Sequence, residues 1–169
     1  MKAVLISIQP KWCELIASGK KTIEVRKTKP KLETPFKCYI YCSEKDYDKI
    51  FCIDKFMHKV FLDGNGKQKV IGEFVCDRIQ EITYTQIYNF GRYRDVCEAE
   101  TRLDFYALDD YLKQKNGYGW HISDLVIYDE PKELSEFTGL RKTKFGYGPF
   151  KITRPPQSWC YVEERKEQE

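Results

Sequence analysis

Gly19-Lys20-Lys21-Thr22-Ile23-Glu24-Val25-Arg26 is the stretch on which the reading of this chain turns. A glycine that can stop a helix in the left-handed conformation runs straight into a β-branched alternation carrying lysine, glutamate and arginine. If Ile23 and Val25 point into the core, strand alternation sends Thr22, Glu24 and Arg26 together to the opposite face, with Lys21 where the turn ends. Taken alone, the pattern has two readings. It is either an exposed strand edge with an ordinary mixture of weak surface ion pairs, or a polar cluster that binds or transforms something.

The flanks give the stretch its context. Ala3-Val-Leu-Ile-Ser-Ile8 is a dense β-branched run cut off by Gln9-Pro10, which predicts a buried first strand. Pro10 suits the first turn of a helix, and Trp12, Leu15 and Ile16 recur at helical spacing up to Gly19. Strand, short helix and second strand thus occupy the opening of the chain and deliver Lys21, Glu24 and Arg26 beside the helix start.

Further along, Phe36 to Cys42 predicts a third strand, followed by a capped turn or short helix from Ser43 to Asp48. Asp63-Gly-Asn-Gly66 is a hairpin signal without the lysine, serine or acidic spacing of a phosphate or calcium loop. Lys69 to Ile82 alternates as one long strand, with Gly72 hinting at a bulge. Thr85 to Lys115 reads as mainly helical, with Leu103, Tyr106, Ala107, Asp110 and Tyr111 in period. Gly119 to Tyr128 returns to strand, Pro131 to Phe137 to a short helix or turn, and Gly139 to Pro149 to a mobile loop. Arg154 to Val162 supplies a last strand, and the charged residues 163–169 are expected to fray. The fold class expected is α+β: one domain over residues 1–162, a mixed β-barrel of about six strands with short flanking helices, and an insertion around 43–69.

Composition narrows the function classes. The chain has 169 residues and is 41% hydrophobic, enough for one sizeable core, and 12 tyrosines and 10 phenylalanines supply much of it. Net charge is only +3, which permits a nucleic-acid partner without requiring one. The distribution is more telling. Between Lys20 and Lys31 lie Lys20, Lys21, Arg26, Lys27, Lys29 and Lys31 against the single acid Glu24, and from Arg141 to Arg154 there is no acid at all. Such runs are either solubilising faces or anion-binding surfaces. The seven cysteines form no Cys-x-x-Cys pair and lie among apolar neighbours, as expected of small buried hydrophobes in a reducing cytoplasm. No leader segment and no bilayer-length apolar run is legible, so a cytoplasmic, membrane-free protein with neither metal nor cofactor is expected.

The register Gly19, Lys21, Glu24, Arg26 matches the Gly-x-Lys-x-x-Glu-x-Arg hallmark of the ASCH domain, a branch of the PUA-like β-barrel superfamily. The Gln9-Pro10 dipeptide and Trp12 resemble that family's opening, and Trp120-His-Ile-Ser-Asp-Leu-Val-Ile-Tyr128 with Pro131 resembles a later strand of bacterial and phage members. The resemblance covers the first 45 residues well, and roughly 70 to 82 and 117 to 162 more loosely. It implies a PUA-like barrel with a basic cleft in which Lys21, Glu24 and Arg26 gather to bind RNA, a nucleotide or a modified nucleoside. Arginine offers a planar donor fork, lysine a compact charge and glutamate an acceptor for amino groups. By the same resemblance Gln9, Trp12 and Ser158 line the cleft, and Glu73, in Val70-Ile-Gly-Glu-Phe-Val75, either points into it by barrel alternation or faces outward. Trp12, Tyr118, Trp120 or Trp159 would stack on a base, or else belong to the core.

Some bacterial relatives are amidohydrolases acting on acetylated cytidine, with a threonine nucleophile where this chain has Glu24. A carboxylate attacking an amide would give an anhydride, so that mechanism does not transfer intact. Thr22 is a weak substitute, since two residues along a strand move the group by about 6–7 Å. Two enzymatic routes remain as alternatives. Glu24 acts on water while Lys21 and Arg26 stabilise an oxyanion, or the cluster cleaves RNA by acid–base catalysis, with His121 as a proton carrier. A third alternative is a protein-interaction module in which the same charges form a structural ion-pair network.

Overall fold

The computed structural model describes residues 1–44 and 66–165. The turn expected after Ser43, the section from Phe51 to Leu62 and most of the Asp63–Gly66 hairpin signal lie outside the described residues. Two sheets build the fold. The larger takes β1 (Lys2–Ile8), β3 (Phe36–Cys42), β4 (Val70–Cys76), β8 (Ser123–Lys132), β9 (Thr138–Thr143), β10 (Gly146–Lys151) and β11 (Trp159–Glu163), in the order β10-β9-β11-β1-β3-β4-β8. The smaller takes β2 (Ile23–Arg26), β5 (Ile79–Ile87), β6 (Phe90–Arg94) and β7 (Gly117–His121), in the order β2-β7-β5-β6. β1 and β3 run parallel and the other pairs antiparallel. Among the described residues three short helices flank them: α1 (Pro10–Ala17), α2 (Glu98–Thr101) and α3 (Phe105–Leu112).

β1 is apolar at consecutive positions because both of its faces are covered. Val4, Ile6 and Ile8 join a core with Cys38, Ile40, Phe74 and Trp120, and the alternate residues Ala3 and Leu5 pack with Tyr39, Phe137 and Val162. A third cluster, with Val25, Ile82, Tyr93, Leu108 and Leu112, seats α3 on the smaller sheet. α1 starts at Pro10, as its missing N–H allows, and Gly19 follows it with a φ of +75°. The α+β class holds. Among the described residues there are eleven strands rather than about six, and the additional ones come from four misread segments, of which Gly119 to Tyr128 is two strands in different sheets, β7 and β8, parted at Ile122.

Lys69 to Ile82 is two strands in different sheets, β4 and β5, parted at Asp77 and Arg78. Gly72 marks the register shift expected of it: a Cβ there would meet the Val126 carbonyl oxygen at 2.4 Å. The helix expected from Thr85 is instead the β5–β6 hairpin, and helix is confined to α2 and α3. Tyr84 and Tyr93 pair across that hairpin with ring centroids 5.1 Å apart, a cross-strand contact, and the helical period at Leu103 to Tyr111 does not extend back to it. The loop expected from Gly139 to Pro149 is the β9–β10 hairpin. Its glycines serve close packing, since a Cβ on Gly139 would lie 2.4 Å from the Phe150 ring, and a tight turn at Gly146, where φ is +116°. Residues 134–136 form the expected short turn, while β8 runs on through Pro131. The last strand begins at Trp159, and the chain stays tied down past 162: Glu164 N–H donates to the Met1 carbonyl and Arg165 N–H to the Tyr39 hydroxyl.

Candidate ligand cleft

β2 lies at the edge of the smaller sheet against β7, with Glu24 opposite Trp120 and Arg26 opposite Tyr118. Alternation works as the sequence implied. Val25 packs toward α3, while Glu24 and Arg26 turn the other way, toward the larger sheet. The exposed-edge reading fails here, because Lys21, Glu24 and Arg26 are all buried, at 2%, 6% and 7% exposure. Their charges are cross-braced. One Glu24 oxygen accepts from Arg26 Nη2 at 2.9 Å, and the other lies 3.4 Å from Lys21 Nζ. Lys21 Nζ also donates to the Thr101 carbonyl at 2.5 Å, and Arg26 Nη2 to the Ser7 carbonyl at 2.7 Å. Arg26 Nη1 reaches the Ser158 hydroxyl at 3.4 Å, whereas its Nε is buried with no partner.

These groups floor a cleft of about 240 Å³ walled by Gln9, Lys11 and Trp12 from the start of α1 and by Ala107, Asp110 and Tyr111 from α3. Trp12 presents its ring 5.1 Å from Lys21 Nζ and 4.4 Å from Lys11 Nζ. Burial pulls the Lys21 ammonium below its ordinary pKa; the Glu24 carboxylate opposes that shift and Arg26 adds to it. Burial likewise raises the Tyr111 phenol, which keeps it a neutral donor and acceptor, with the Arg26 guanidinium pulling the other way.

A family model for the ASCH domain matches residues 6–121, which include the whole Gly19–Arg26 stretch and both walls of the cleft. The chain belongs to the ASCH domain family. Among solved structures, the ASCH protein from Zymomonas mobilis superposes with a TM-score of 0.55 at 18% identity, covering 96% of this chain and 88% of that one. A tyrosine-to-phenylalanine variant of the same protein gives 0.55 at 18% identity, covering 97% and 92%. The likeness is one of fold, the PUA-like ASCH barrel. No curated protein matches the chain.

Of the residues expected in the ASCH cleft, Gln9, Trp12, Lys21, Glu24 and Arg26 come together. Ser158 touches it through Arg26. Glu73 is elsewhere: its carboxylate pairs with Lys37 Nζ at 2.8 Å and accepts from the Tyr128 hydroxyl, on the far side of the larger sheet. Thr22 does not line the cleft; its backbone pairs with Glu100 and Ile122. His121 is also away from it, held by Asp77 at 2.6 Å. Trp120 is fully buried core, and Trp159 donates to the Thr28 hydroxyl at 3.0 Å. Sequence reasoning missed Lys11, Tyr111 and Asp110 as cleft residues, and the carbonyls of Ser7 and Thr101 as anchors. The helical spacing of Ala107, Asp110 and Tyr111 was the available signal, because it places one side of α3 toward a single neighbour.

No group of metal-ligating side chains exists among the described residues. The six described cysteines are free thiols. No helix among the described residues is long and apolar enough to cross a membrane.

Proposed function

We propose that the cleft binds RNA, a nucleotide or a modified nucleoside, through Arg26 and Lys21 with Trp12 as a stacking wall. The observation that carries this reading is the Arg26 guanidinium. It is held in place through Nη2 by Glu24 and Ser7, it is one of the side chains lining the cleft, and its Nε, buried behind that lining, has no hydrogen-bond partner. An orphaned buried donor is costly unless something accepts from it, and a phosphate oxygen or base edge would do so. The volume, below the roughly 300–1,000 Å³ of drug-sized sites, suits one base or nucleoside and not a folded helix. Glu24 has both oxygens engaged, so its role in this reading is to orient the two cations rather than to read the ligand.

The test is binding of short single-stranded RNAs, nucleotides and acetylated or methylated nucleosides to wild type, Lys11→Ala and Trp12→Ala. Lys11 is exposed and Trp12 half-buried, so both variants should fold. Weakened affinity in both, steeper in salt for the charged ligands, is the expected result; unchanged affinity in both would sink the proposal.

A metal-independent hydrolase, acting on a nucleoside amide or on RNA, is the second reading, and the depressed pKa of Lys21 favours it. A lysine that loses its proton more readily is suited to general base work, held toward its task by the Thr101 carbonyl. Lys21→Arg keeps the charge and removes the base. Product detected by mass with wild type and absent with Lys21→Arg, at equal melting temperature, would support turnover; equal product from both would exclude Lys21 as the base.

A further inference from the structure

The β9–β10 hairpin and the segment after it carry Arg141, Lys142, Lys144, Lys151 and Arg154, all exposed and with no acid between them. Among the described residues none of the five makes an ion pair. The hairpin also lies beyond the residues that the family model matches. We propose that it is a second docking surface, for the sugar–phosphate backbone of a single-stranded nucleic acid whose terminal or flipped base occupies the cleft; this rests on the nucleic-acid reading of that cleft.

Continuity between the two places is the main argument. Arg26, at the cleft floor, donates to Ser158. The next residue, Trp159, opens a line of rings along β11 and β10: Trp159 to Tyr161 at 5.3 Å and Tyr161 to Tyr147 at 5.5 Å between centroids. Cations stand near both ends of this line: Lys27 Nζ lies 5.1 Å from the ring of Tyr111 in the cleft wall, and Lys2 Nζ sits 3.6 Å over Tyr147, while the main-chain N–H of Lys31 donates to the Tyr161 hydroxyl. Strand register then places Lys142 directly opposite Tyr147, with Lys151 on that same face. At the tip, Phe145 is 99% exposed beside Lys144.

Rings interleaved with unpaired cations are what an unpaired strand needs: a π-surface for bases of any identity and positive charge for each phosphate. A cleft of about 240 Å³ holds one base, so the phosphates of a longer strand must find their counter-charge outside it. The hairpin supplies that charge at the end of the path. Since no base edge is read there, the surface adds affinity and strand length preference with little sequence preference.

The experiment compares a labelled oligouridylate of about ten nucleotides with uridine monophosphate, across ionic strength, for wild type, the triple variant Lys142→Ala/Lys144→Ala/Lys151→Ala, Phe145→Ala and Lys11→Ala. The triple variant should bind the oligonucleotide roughly tenfold or more weakly, with a log–log salt slope shallower by about 2, and bind the mononucleotide as wild type does. Phe145→Ala should weaken the oligonucleotide at unchanged slope. Oligonucleotide binding unaltered in the triple variant but weakened in Lys11→Ala would overturn the hairpin and leave the cleft standing. Binding unaltered in every variant would overturn both. Capture of phosphatidylserine vesicles that the triple variant loses, with oligonucleotide binding intact, would assign the hairpin to a lipid surface and overturn the proposal.

Discussion

The cleft and the β9–β10 hairpin both carry lysine and arginine and use them in opposite ways. In the cleft, Lys21 and Arg26 are buried, share one carboxylate and are anchored to main-chain carbonyls from distant parts of the chain. On the hairpin the cations are solvated and unpaired. The first arrangement fixes direction at the expense of stability if any member is lost, because a buried charge without its partner is among the most destabilising defects. The second is structurally dispensable and free to follow a mobile partner. A charge run in a sequence is therefore ambiguous until burial is known.

The sharpest way to break this comparison is Glu24→Gln, which leaves two buried cations without their shared anion. It should cost about 3–5 kcal/mol and lower the melting temperature by roughly 10 °C in calorimetry. A loss under about 1 kcal/mol would mean that the three charges are not coupled.

Next in size is the response to alkali. Burial raises Cys76 to about 12 and Cys160 to about 11, raises Cys13 and Cys38 well above their ordinary value, and lifts Tyr93 to about 12. In the unfolded chain these groups lose their protons from about pH 9 for thiols and about 10 for phenols, while the folded protein keeps them. Stability is thus fully present below pH 9 and falls as the pH climbs toward 11–12. Lys21 has the opposite sign. Its folded pKa is depressed, so its burial penalty is full at neutral pH and eases as the solution approaches its unfolded value near 10.5. Urea midpoints measured from pH 7 to 11 should decline; a flat or rising series would contradict the burial of the thiols.

Smaller again is Lys21→Met, expected to cost about 1–3 kcal/mol, since Glu24 keeps Arg26 and an apolar chain of similar length fills the space. In the double variant with Glu24→Gln the costs should add to less than their sum, which a thermodynamic cycle would measure. The least effect belongs to Lys142→Ala and Lys144→Ala, each within about 0.5 kcal/mol of wild type by denaturant melts. A larger loss there would erase the distinction between the two regions.

The opening of the fold was legible because three independent signals agree over Ala3 to Arg26: a β-branched run, a proline at a helix start and a glycine at its end. The shared face of Glu24 and Arg26 followed from alternation, whereas Lys21, of the opposite parity, joined them through the position of the turn and the ASCH motif. Their burial did not, because nothing local to β2 says that β1 and α3 will cover it. Glu73 was assigned to the wrong face because the β4 register shifts at Gly72 and again before Val75, so counting by twos fails there. The two hairpins were misread for a related reason. Glycine and charge at 139–149 resemble an unstructured loop, although two of those glycines are required by the Phe150 ring and a tight turn. Their strand character lies in cross-strand partners, which a one-dimensional pattern does not contain.

Arg26 belongs to the smaller sheet, yet it fastens to the Ser7 carbonyl in β1 and to Ser158 just ahead of β11. The residue proposed to meet the ligand is therefore also a rivet through the seam of the molecule. A guest that drew on this guanidinium would load the same contact that ties the entry to β11, itself paired with β1 and β9, to the smaller sheet. The two proposed contact regions would then stand in mechanical series, with one side chain as a link between them.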